Sequence, residues 1–216
     1  MADEVGGAAA VDAHDRLVDV IVVNGFVWHR QRVPSHAMRV VAGSARGRRL
    51  IAPDGGDTRP TSDRVREAIF NALGSLDEVV DATAIDLFAG SGALGIEALS
   101  RGAQHCTFVD TSRRALDTVR VNLDATGLAA AAEVVTSDAF AHVRRRPEVV
   151  DLALLDPPYA FTAWPELLEV MPASFVVMES DRTIEPGERW DVIRARRYGT
   201  TVVTFARRRS GPEPAK

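Results

Sequence analysis

The chain has 216 residues, of which 46% are hydrophobic and 26% charged, proportions that suit a soluble domain with a sizeable core. No apolar run approaches the roughly 18 residues of a membrane span, and the single cysteine, Cys106, excludes an intrachain disulfide. The net charge of −4 is uneven, because residues 38–66 carry +4 and residues 194–216 carry +6, whereas residues 67–193 carry −12. We therefore expect a soluble, cytoplasmic protein without membrane contact, whose basic ends meet a polyanion.

Residues 1–37 differ in character from the rest, and we treat them as an N-terminal extension. Gly6–Ala10 is low in information, and Val20–Trp28 predicts two short strands around an Asn24-Gly25 turn. Two interpretations stay open. The segment is either a genuine N-terminal β-hairpin, or sequence that is disordered or lies upstream of a natural start at Met38.

The next segment, residues 38–60, is predicted to be an arginine-rich hairpin followed by a loop. Met38–Ala42 and Arg48–Ala52 have β-forming sequences on either side of a turn, and residues 53–60 are rich in Gly, Asp and Pro. Thr61 and Ser62 are candidate N-caps for a helix from about Asp63 to Leu76. The basic side chains of the hairpin are Arg39, Arg46, Arg48 and Arg49.

From Thr83 onward, strand and helix patterns alternate along the chain. The predicted strands are 82–88, 106–109, 133–136, 150–155 and 174–178, and the predicted helices are 93–101, 112–125, 139–144 and 164–171. Two last strands, 192–197 and 200–205, should pair antiparallel, and a disordered tail is expected from Ser210. This alternation predicts a mostly parallel sheet with helices on both faces and an antiparallel strand at or near one edge.

The stretch Asp86–Gly95 follows the first of these strands and contains the pattern Gly-x-Gly-x-x-Gly. Between a strand and a helix, such glycines let the backbone approach a ligand, and the start of the helix offers unpaired N–H groups. Asp110 ends the next strand, 20 residues after Gly90, which is the offset at which an acidic side chain meets a ribose hydroxyl. A turn needed only for packing is the alternative, but the pattern favours a ribose-bearing ligand, either a dinucleotide or S-adenosylmethionine.

The sequence Asp156-Pro-Pro-Tyr159 follows the fourth strand and discriminates between these two ligands. The prolines stiffen the backbone, so that Asp156 and neighbouring carbonyls can accept hydrogen bonds from a planar amino group while Tyr159 stacks on its ring. Such acceptors would localise the nitrogen lone pair toward an electrophilic methyl group, whereas a hydride-transfer enzyme has no use for them. The pattern therefore favours methyl transfer to an exocyclic amine over an Asp-Pro-Pro turn that merely ends a strand.

Together with the glycine turn, the Asp156–Tyr159 motif resembles class I S-adenosylmethionine-dependent methyltransferases that act on exocyclic amines. Four blocks carry a closer resemblance, to the RsmD family: residues 39–43, 47–50, 58–67 and 86–103, of which Arg59–Glu67 is the most specific. These are bacterial methyltransferases that modify the 2-amino group of a guanine in 16S ribosomal RNA. The resemblance covers about Met38 to Arg207, and it implies a Rossmann-like, mostly parallel seven-stranded sheet.

The resemblance also implies roles for individual residues. The methionine end of the cofactor, S-adenosylmethionine, would be held by Asp86, Phe88, Gly90, Ser91 and Gly92. Its ribose would be bound by Asp110, and its adenine would be met by Asp138 and Ala139. The target guanine would be gripped by Asp156, Pro157, Pro158 and Tyr159. RNA would be contacted by Arg39, Arg46, Arg48 and Arg49 of the hairpin, and by Arg59 and Arg64 of a block that closes over the cofactor.

The expected partner is 16S rRNA, either free or in an assembling small ribosomal subunit. We expect a monomer without a metal centre, since the five histidines and one cysteine are scattered without ligand spacing. The sequence departs from the family in residues 1–37, which have no usual counterpart, and in a stretch between Tyr159 and Phe175 that is a few residues short. Two alternatives stay open: an amine methyltransferase acting on adenine N6 or a protein glutamine, and a non-catalytic RNA- or nucleotide-binding protein.

Overall fold

The computed structural model describes the backbone of residues 18–23 and 26–31, and residues 38–52, 63–146 and 148–209 in full. The chain divides into two compact units, Met1–Ala37 and Met38–Lys216. In the first unit, strand β1 (Val18–Val23) pairs antiparallel with strand β2 (Phe26–Gln31). These are the strands of the predicted hairpin, whose Asn24-Gly25 turn lies outside the described residues, as do Gly6–Ala10 and the tail from Ser210.

The second unit alternates strands and helices from α1 onward. Its strands are β3 (Thr83–Leu87), β4 (His105–Asp110), β5 (Ala132–Thr136), β6 (Val150–Leu155), β7 (Ala173–Ser180), β8 (Trp190–Tyr198) and β9 (Thr201–Arg208). Its helices are α1 (Asp63–Ser75), α2 (Ala93–Ser100), α3 (Arg113–Thr126), α4 (Ala139–Arg145) and α5 (Trp164–Val170). The predicted element bounds in this unit differ from these by no more than three residues. Within the described ranges, none of the helices combines the length and apolar character that crossing a bilayer requires.

The seven strands of this unit form one sheet in the order β5-β4-β3-β6-β7-β9-β8. Strands β3 to β7 are parallel to their neighbours among themselves, and β9 pairs antiparallel with both β7 and β8. Strand β8 therefore runs in the same direction as β7. The predicted fold is confirmed, and the single antiparallel strand is β9, one position in from the edge.

Alternating side chains of the sheet bury two separate apolar layers, as expected for strands covered on both faces. One layer packs the sheet against α1, α2 and α3, and the other packs it against α4 and α5. Local capping fixes where two of these helices begin: the Ser112 side chain accepts from Ala115 N, and the Asp138 side chain accepts from Ala141 N. The two layers hold the strand ends in place, which is where the candidate site lies.

The arginine-rich segment is not the regular hairpin that its sequence predicts. Residues 38–52 contain a single antiparallel bridge, between Arg39 and Arg49, around a turn. Its two arms share three backbone hydrogen bonds, from Val40 N to Arg48 O, from Gly47 N to Val40 O and from Leu50 N to Met38 O, and further backbone groups bind side chains of two helices. Val41 N and Ala42 N donate to Glu97 of α2, and Asn122 of α3 accepts from Ile51 N and donates to Ile51 O.

Arg66 contradicts the prediction that the whole Arg59–Glu67 block faces RNA. Its side chain is 0% exposed on the inner side of α1, where it pairs with Asp63 at 2.8 Å and with the buried Glu97 at 3.5 Å. It also donates to the Arg39 carbonyl. Both hydrogen bonds come from Nη2, and the buried Nε and Nη1 have no hydrogen-bond partner among the described residues, so the charge is compensated by the two carboxylates. Residues 53–62 lie outside the described part of the chain. They include the predicted loop 53–60 with Arg59, and the predicted caps Thr61 and Ser62.

Candidate active site

The order of the strands gathers the predicted site residues at one edge of the sheet. From β3 the chain adds β4 and then β5 on one side, and it then crosses back to place β6 on the other side of β3. The order in which strands are added therefore reverses between β3 and β6. In open α/β sheets, ligands bind outside the carboxyl ends of the strands at such a switch point. The glycine turn follows β3, Asp110 ends β4, Asp138 follows β5 and Asp156 follows β6.

The glycine turn combines two left-handed residues with a close helix–strand contact. Gly90 and Gly92 have φ angles of 53° and 77°, which side chains disfavour. A Cβ on Gly95 would lie 2.3 Å from Phe108 Cε1, so this third glycine lets α2 pack on β4. Helix α2 starts after Gly92 without a side-chain cap, and in its first turn Gly95 N donates to Asp86 Oδ2, so the N–H groups of Ala93 and Leu94 are the ones left for a ligand. The turn thus suits a nucleotide-like cofactor, and packing on Phe108 is the reason that position 95 has no side chain.

Asp110 shapes the glycine turn from the neighbouring strand. Its Oδ2 accepts from Gly90 N at 3.0 Å, and its Oδ1 accepts from Ser112 N at 2.8 Å. A carboxylate has about four acceptor positions, so both oxygens keep capacity for the hydroxyls of a ribose. The predicted ribose role is compatible with this geometry and stays a prediction, while the contact with Gly90 shows that Asp110 also orients the turn.

Asp86 lies deeper than the other acids of the site. Its side chain is 1% exposed, and its Oδ2 accepts from Gly95 N at 2.9 Å. Burial raises the pKa of this carboxyl well above its ordinary value, and the nearby Asp156 and Asp110 raise it further, although the Gly95 hydrogen bond opposes the shift. Three acidic side chains therefore interact electrostatically at this edge, which favours a cationic group near them.

The raised pKa of Asp86 predicts a pH-dependent effect of Asp86→Asn on stability. Below about pH 4 the carboxyl is protonated in both the folded and unfolded states, so the substitution should change the unfolding free energy little. As pH rises above that range, the unfolded chain ionises first, and the folded state of the wild type is progressively disfavoured. We expect the variant to gain stability relative to the wild type as the pH of urea unfolding rises above about 4, and a difference that stays constant with pH would contradict this assignment.

The Asp156–Tyr159 motif forms the opposite wall of the site at the end of β6. Asp156 is half-buried, Pro157 is buried, and Pro158 is exposed. Tyr159 is 43% exposed, and its hydroxyl lies 3.2 Å from Thr201 Oγ1 at the start of β9. The tyrosine ring is thus held at one end and open to solvent on its surface, as a stacking platform requires.

An aromatic contact links this wall to the glycine turn. Phe88, which lies between β3 and the glycines, adopts a φ of 66°, an uncommon conformation for a bulky residue that often marks functional sites. Its ring packs edge-on against Phe161 at 5.3 Å, and Phe161 packs against Trp164 at 5.2 Å. Phe161 N also donates to Pro158 O at 2.8 Å. The sequence reasoning missed Phe161, although an aromatic residue two positions after the motif was a usable signal.

Asp138 and Ala139 lie at the start of α4, on the far side of β4 from the target motif. Asp138 is exposed and caps the helix through Oδ1, which accepts from Ala141 N at 3.1 Å, and Ala139 is buried. An exposed carboxylate with one committed oxygen can still accept from an amino group. Their predicted adenine contact is compatible with this position and remains a prediction.

The predicted RNA-binding arginines divide between two places. Arg39, Arg46, Arg48 and Arg49 are exposed, but their turn packs on the C-terminal end of α2, where Ser44 N donates to Ser100 O at 2.7 Å. Because α2 returns the chain to the start of β4, the turn with Arg46 and Arg48 lies toward the amino edge of the parallel strands, away from Asp156. The other end of the segment, beside Arg39 and Arg49, reaches the glycine turn, where Met38 Sδ lies 3.9 Å from Ser91 Oγ. Arg64 is exposed in the first turn of α1.

The fold and the strand-end site together define a class I methyltransferase. Residues 38–207 match the family described as conserved hypothetical protein 95, and the chain therefore belongs to this family, the RsmD family of methyltransferases. It is 40% identical over 185 residues to Bacillus subtilis YlbH, whose name carries a provisional rRNA methyltransferase assignment. That alignment spans 80% of this chain and 100% of the relative.

Two further comparisons support the same family. The ribosomal RNA small subunit methyltransferase D of Escherichia coli strain K12 is 42% identical over 130 residues, which is 58% of this chain and 64% of that protein. A solved structure of yhhF from Escherichia coli, whose title assigns it provisionally as a methyltransferase, is 32% identical to this chain and superposes with a TM-score of 0.71. That match covers 81% of this chain and 99% of the other.

Proposed function

We propose that this protein transfers a methyl group from S-adenosylmethionine to the exocyclic 2-amino group of a guanine in 16S ribosomal RNA. The observation that carries the proposal is the position of Asp156–Tyr159 at the end of β6, adjacent to the glycine turn at the end of β3. Membership of the RsmD family and the names of its relatives support the rRNA substrate. The choice of guanine N2 follows from the family resemblance.

The residues present fit the cofactor. The open first turn of α2 and the left-handed Gly90 and Gly92 provide room for a backbone approach. Asp110 offers acceptor positions to the ribose hydroxyls, and Asp138 offers one to the adenine amine. When bound, S-adenosylmethionine supplies an electrophilic methyl group on a sulfonium. A cation bound at this edge would favour the ionised form of Asp86, whose pKa is raised by burial and by the neighbouring Asp156 and Asp110.

The target guanine leaves its stack to reach the wall formed by Asp156–Tyr159, as for other enzymes that act on a base. Asp156 and adjacent carbonyls accept the N–H groups of the 2-amino group, which localises its lone pair, and the exposed Tyr159 ring stacks on the base. The Tyr159–Thr201 contact fixes the position of that ring. The product nitrogen loses its proton only after the methyl transfer, so no strong general base is required in the transfer step. Positioning and electrostatic stabilisation therefore account for the rate acceleration.

The substrate is proposed to be the RNA within a small ribosomal subunit or its assembly intermediate, bound by a cytoplasmic monomer. Among the described residues, no group of three or more His, Cys, Asp or Glu side chains is arranged to hold a metal ion.

The test is methylation of small subunits purified from a strain that lacks this protein, with radiolabelled S-adenosylmethionine as the donor. We expect label in 16S rRNA, in one guanine, as N2-methylguanine after nucleoside digestion. Label in N6-methyladenine or in a ribosomal protein would overturn the substrate assignment. If the protein bound the subunits but transferred no label to them, a non-catalytic RNA-binding protein would be favoured. Failure to bind S-adenosylmethionine in calorimetry would favour the same conclusion.

A further inference from the structure

Strand β8 presents an exposed basic surface beside the site that the proposed function does not use. All residues from Asp191 to Arg197 are exposed, and β8 is the last strand of the sheet among the described residues. Within one strand it carries Arg194, Arg196 and Arg197. These arginines account for three of the seven basic residues in the segment 194–216.

The arginines of β8 differ from most exposed arginines near them in having no acidic partner. Arg189, Arg207 and Arg209 each pair with a carboxylate, on Glu169, Glu78 and Asp191 respectively. No carboxylate of the described residues lies within 4.0 Å of Arg194, Arg196 or Arg197. Three unneutralised guanidiniums on one short strand attract an anion, and an arginine fork matches the geometry of phosphate oxygens.

The direction of β8 brings this surface to the catalytic edge. Because β8 runs in the same direction as β7, its carboxyl end lies at the edge where Asp156 follows β6. Tyr198, its last residue, pairs with Thr201, whose hydroxyl contacts Tyr159. The basic strand therefore leads directly to the residue proposed to stack on the target base.

The register of β8 distributes the arginines over both faces of the edge. Arg194 and Arg196 pair with Phe205 and Val203, which point into the apolar layer covered by α1. Arg197 has the opposite orientation by strand alternation. An anionic chain that runs along the edge can thus be contacted from both sides, which a flat patch on one face would not allow.

We propose that the exposed edge strand β8, through Arg194, Arg196 and Arg197, is the surface that holds the RNA phosphates flanking the target guanine. The inference rests on the proposed function, since it assigns a contact for the same RNA substrate. It also complements the turn that contains Arg46 and Arg48, which packs toward the opposite edge of the parallel strands at Ser100 and Ala125.

The experiment compares two triple variants that remove the same charge. One is Arg194→Gln, Arg196→Gln and Arg197→Gln, and the control is Arg144→Gln, Arg145→Gln and Arg146→Gln at the exposed end of α4. The probe is the small ribosomal subunit from a strain lacking this protein, and the readouts are subunit affinity over a range of salt concentrations, cofactor affinity, and methylation rate at saturating subunit.

We expect the β8 variant to bind the subunit at least about tenfold more weakly, with a salt dependence smaller by about 2 in the log–log slope, as three lost phosphate contacts predict. Cofactor affinity, unfolding midpoint and the rate at saturating subunit should stay at wild-type values. The control should bind within about twofold of the wild type. Equal loss of affinity in the two variants, or none in either, would overturn the inference.

A crosslink identifies what the strand contacts. With p-benzoylphenylalanine in place of the exposed Val192, irradiation of the complex should join the protein to 16S rRNA near the methylated guanine. A crosslink only to a ribosomal protein would overturn the assignment to RNA phosphates. Absence of subunit binding and methylation by the wild-type protein would instead contradict the proposed function, so the two failures are distinct.

Discussion

Asp156→Ala should abolish methyl transfer while leaving the cofactor bound. The half-buried Asp156 stands at the end of β6, where it is proposed to accept the N–H groups of the target amine. Removing one preorganised electrostatic group from an active site typically costs about 10²–10³-fold in rate, and we expect a loss of at least that size in single-turnover methylation. Asp156→Asn should lose less, because its amide oxygen still accepts, though without the charge that strengthens the hydrogen bond.

A matched control for this variant is Asp181→Ala. Asp181 follows β7, the neighbour of β6, so it occupies the same edge of the sheet, but its half-exposed side chain pairs with Arg182 and with no other basic side chain among the described residues. We expect wild-type turnover from it. Near wild-type turnover of Asp156→Ala would refute the assigned role. If the variant lost cofactor affinity in calorimetry together with its activity, Asp156 would be assigned to cofactor binding instead.

Glu97→Ala should be the most destabilising single substitution among those considered. The Glu97 side chain is 0% exposed and accepts from Val41 N at 2.8 Å, Ala42 N at 3.0 Å and Arg101 Nε at 2.7 Å. It also neutralises Arg66, which is 0% exposed. Removing one partner of a buried pair leaves an uncompensated charge and typically costs about 3–5 kcal/mol of unfolding free energy. The lost amide contacts should also release the segment around Val41.

Denaturant unfolding with two comparison variants separates these effects. Glu133→Ala breaks the exposed pair with Arg146, and it should cost no more than about 1 kcal/mol, as surface ion pairs do. Arg66→Met combined with Glu97→Leu removes both buried charges, and it should recover part of the stability lost in Glu97→Ala. A loss below about 1 kcal/mol for Glu97→Ala alone would show that the buried pair does not stabilise the fold.

The sequence was sufficient to predict the alternation of elements, because strand and helix periodicities differ and each acts over a few residues. It also located the glycine turn, Asp110 and Asp156, since parallel strands in one sheet must end at the same edge. The family resemblance, which the comparisons confirmed, supplied the RsmD assignment that periodicity could not reach.

Contacts between distant residues could not be predicted in this way. The arginine-rich segment was expected to form a regular hairpin, but it makes only a short one, and Glu97 and Asn122, which lie far along the chain, bind further backbone groups. The Arg59–Glu67 block was expected to close over the cofactor and face RNA, but the packing of α1 on α2 buries Arg66 within that block.

By itself, then, the sequence determined the fold class, the position of the glycine turn and the acids at the strand ends, because these depend on local periodicity and on the shared direction of parallel strands. Only the tertiary structure decided that Phe161 joins the target motif to the glycine turn, that Arg46 and Arg48 lie toward the edge away from Asp156, and that the arginines of β8 lie beside Tyr159. Each of these depends on contacts between residues far apart in sequence, which form when α2 packs on the sheet and when β9 and β8 pair into it. The spacing of residues along the chain does not predict such contacts.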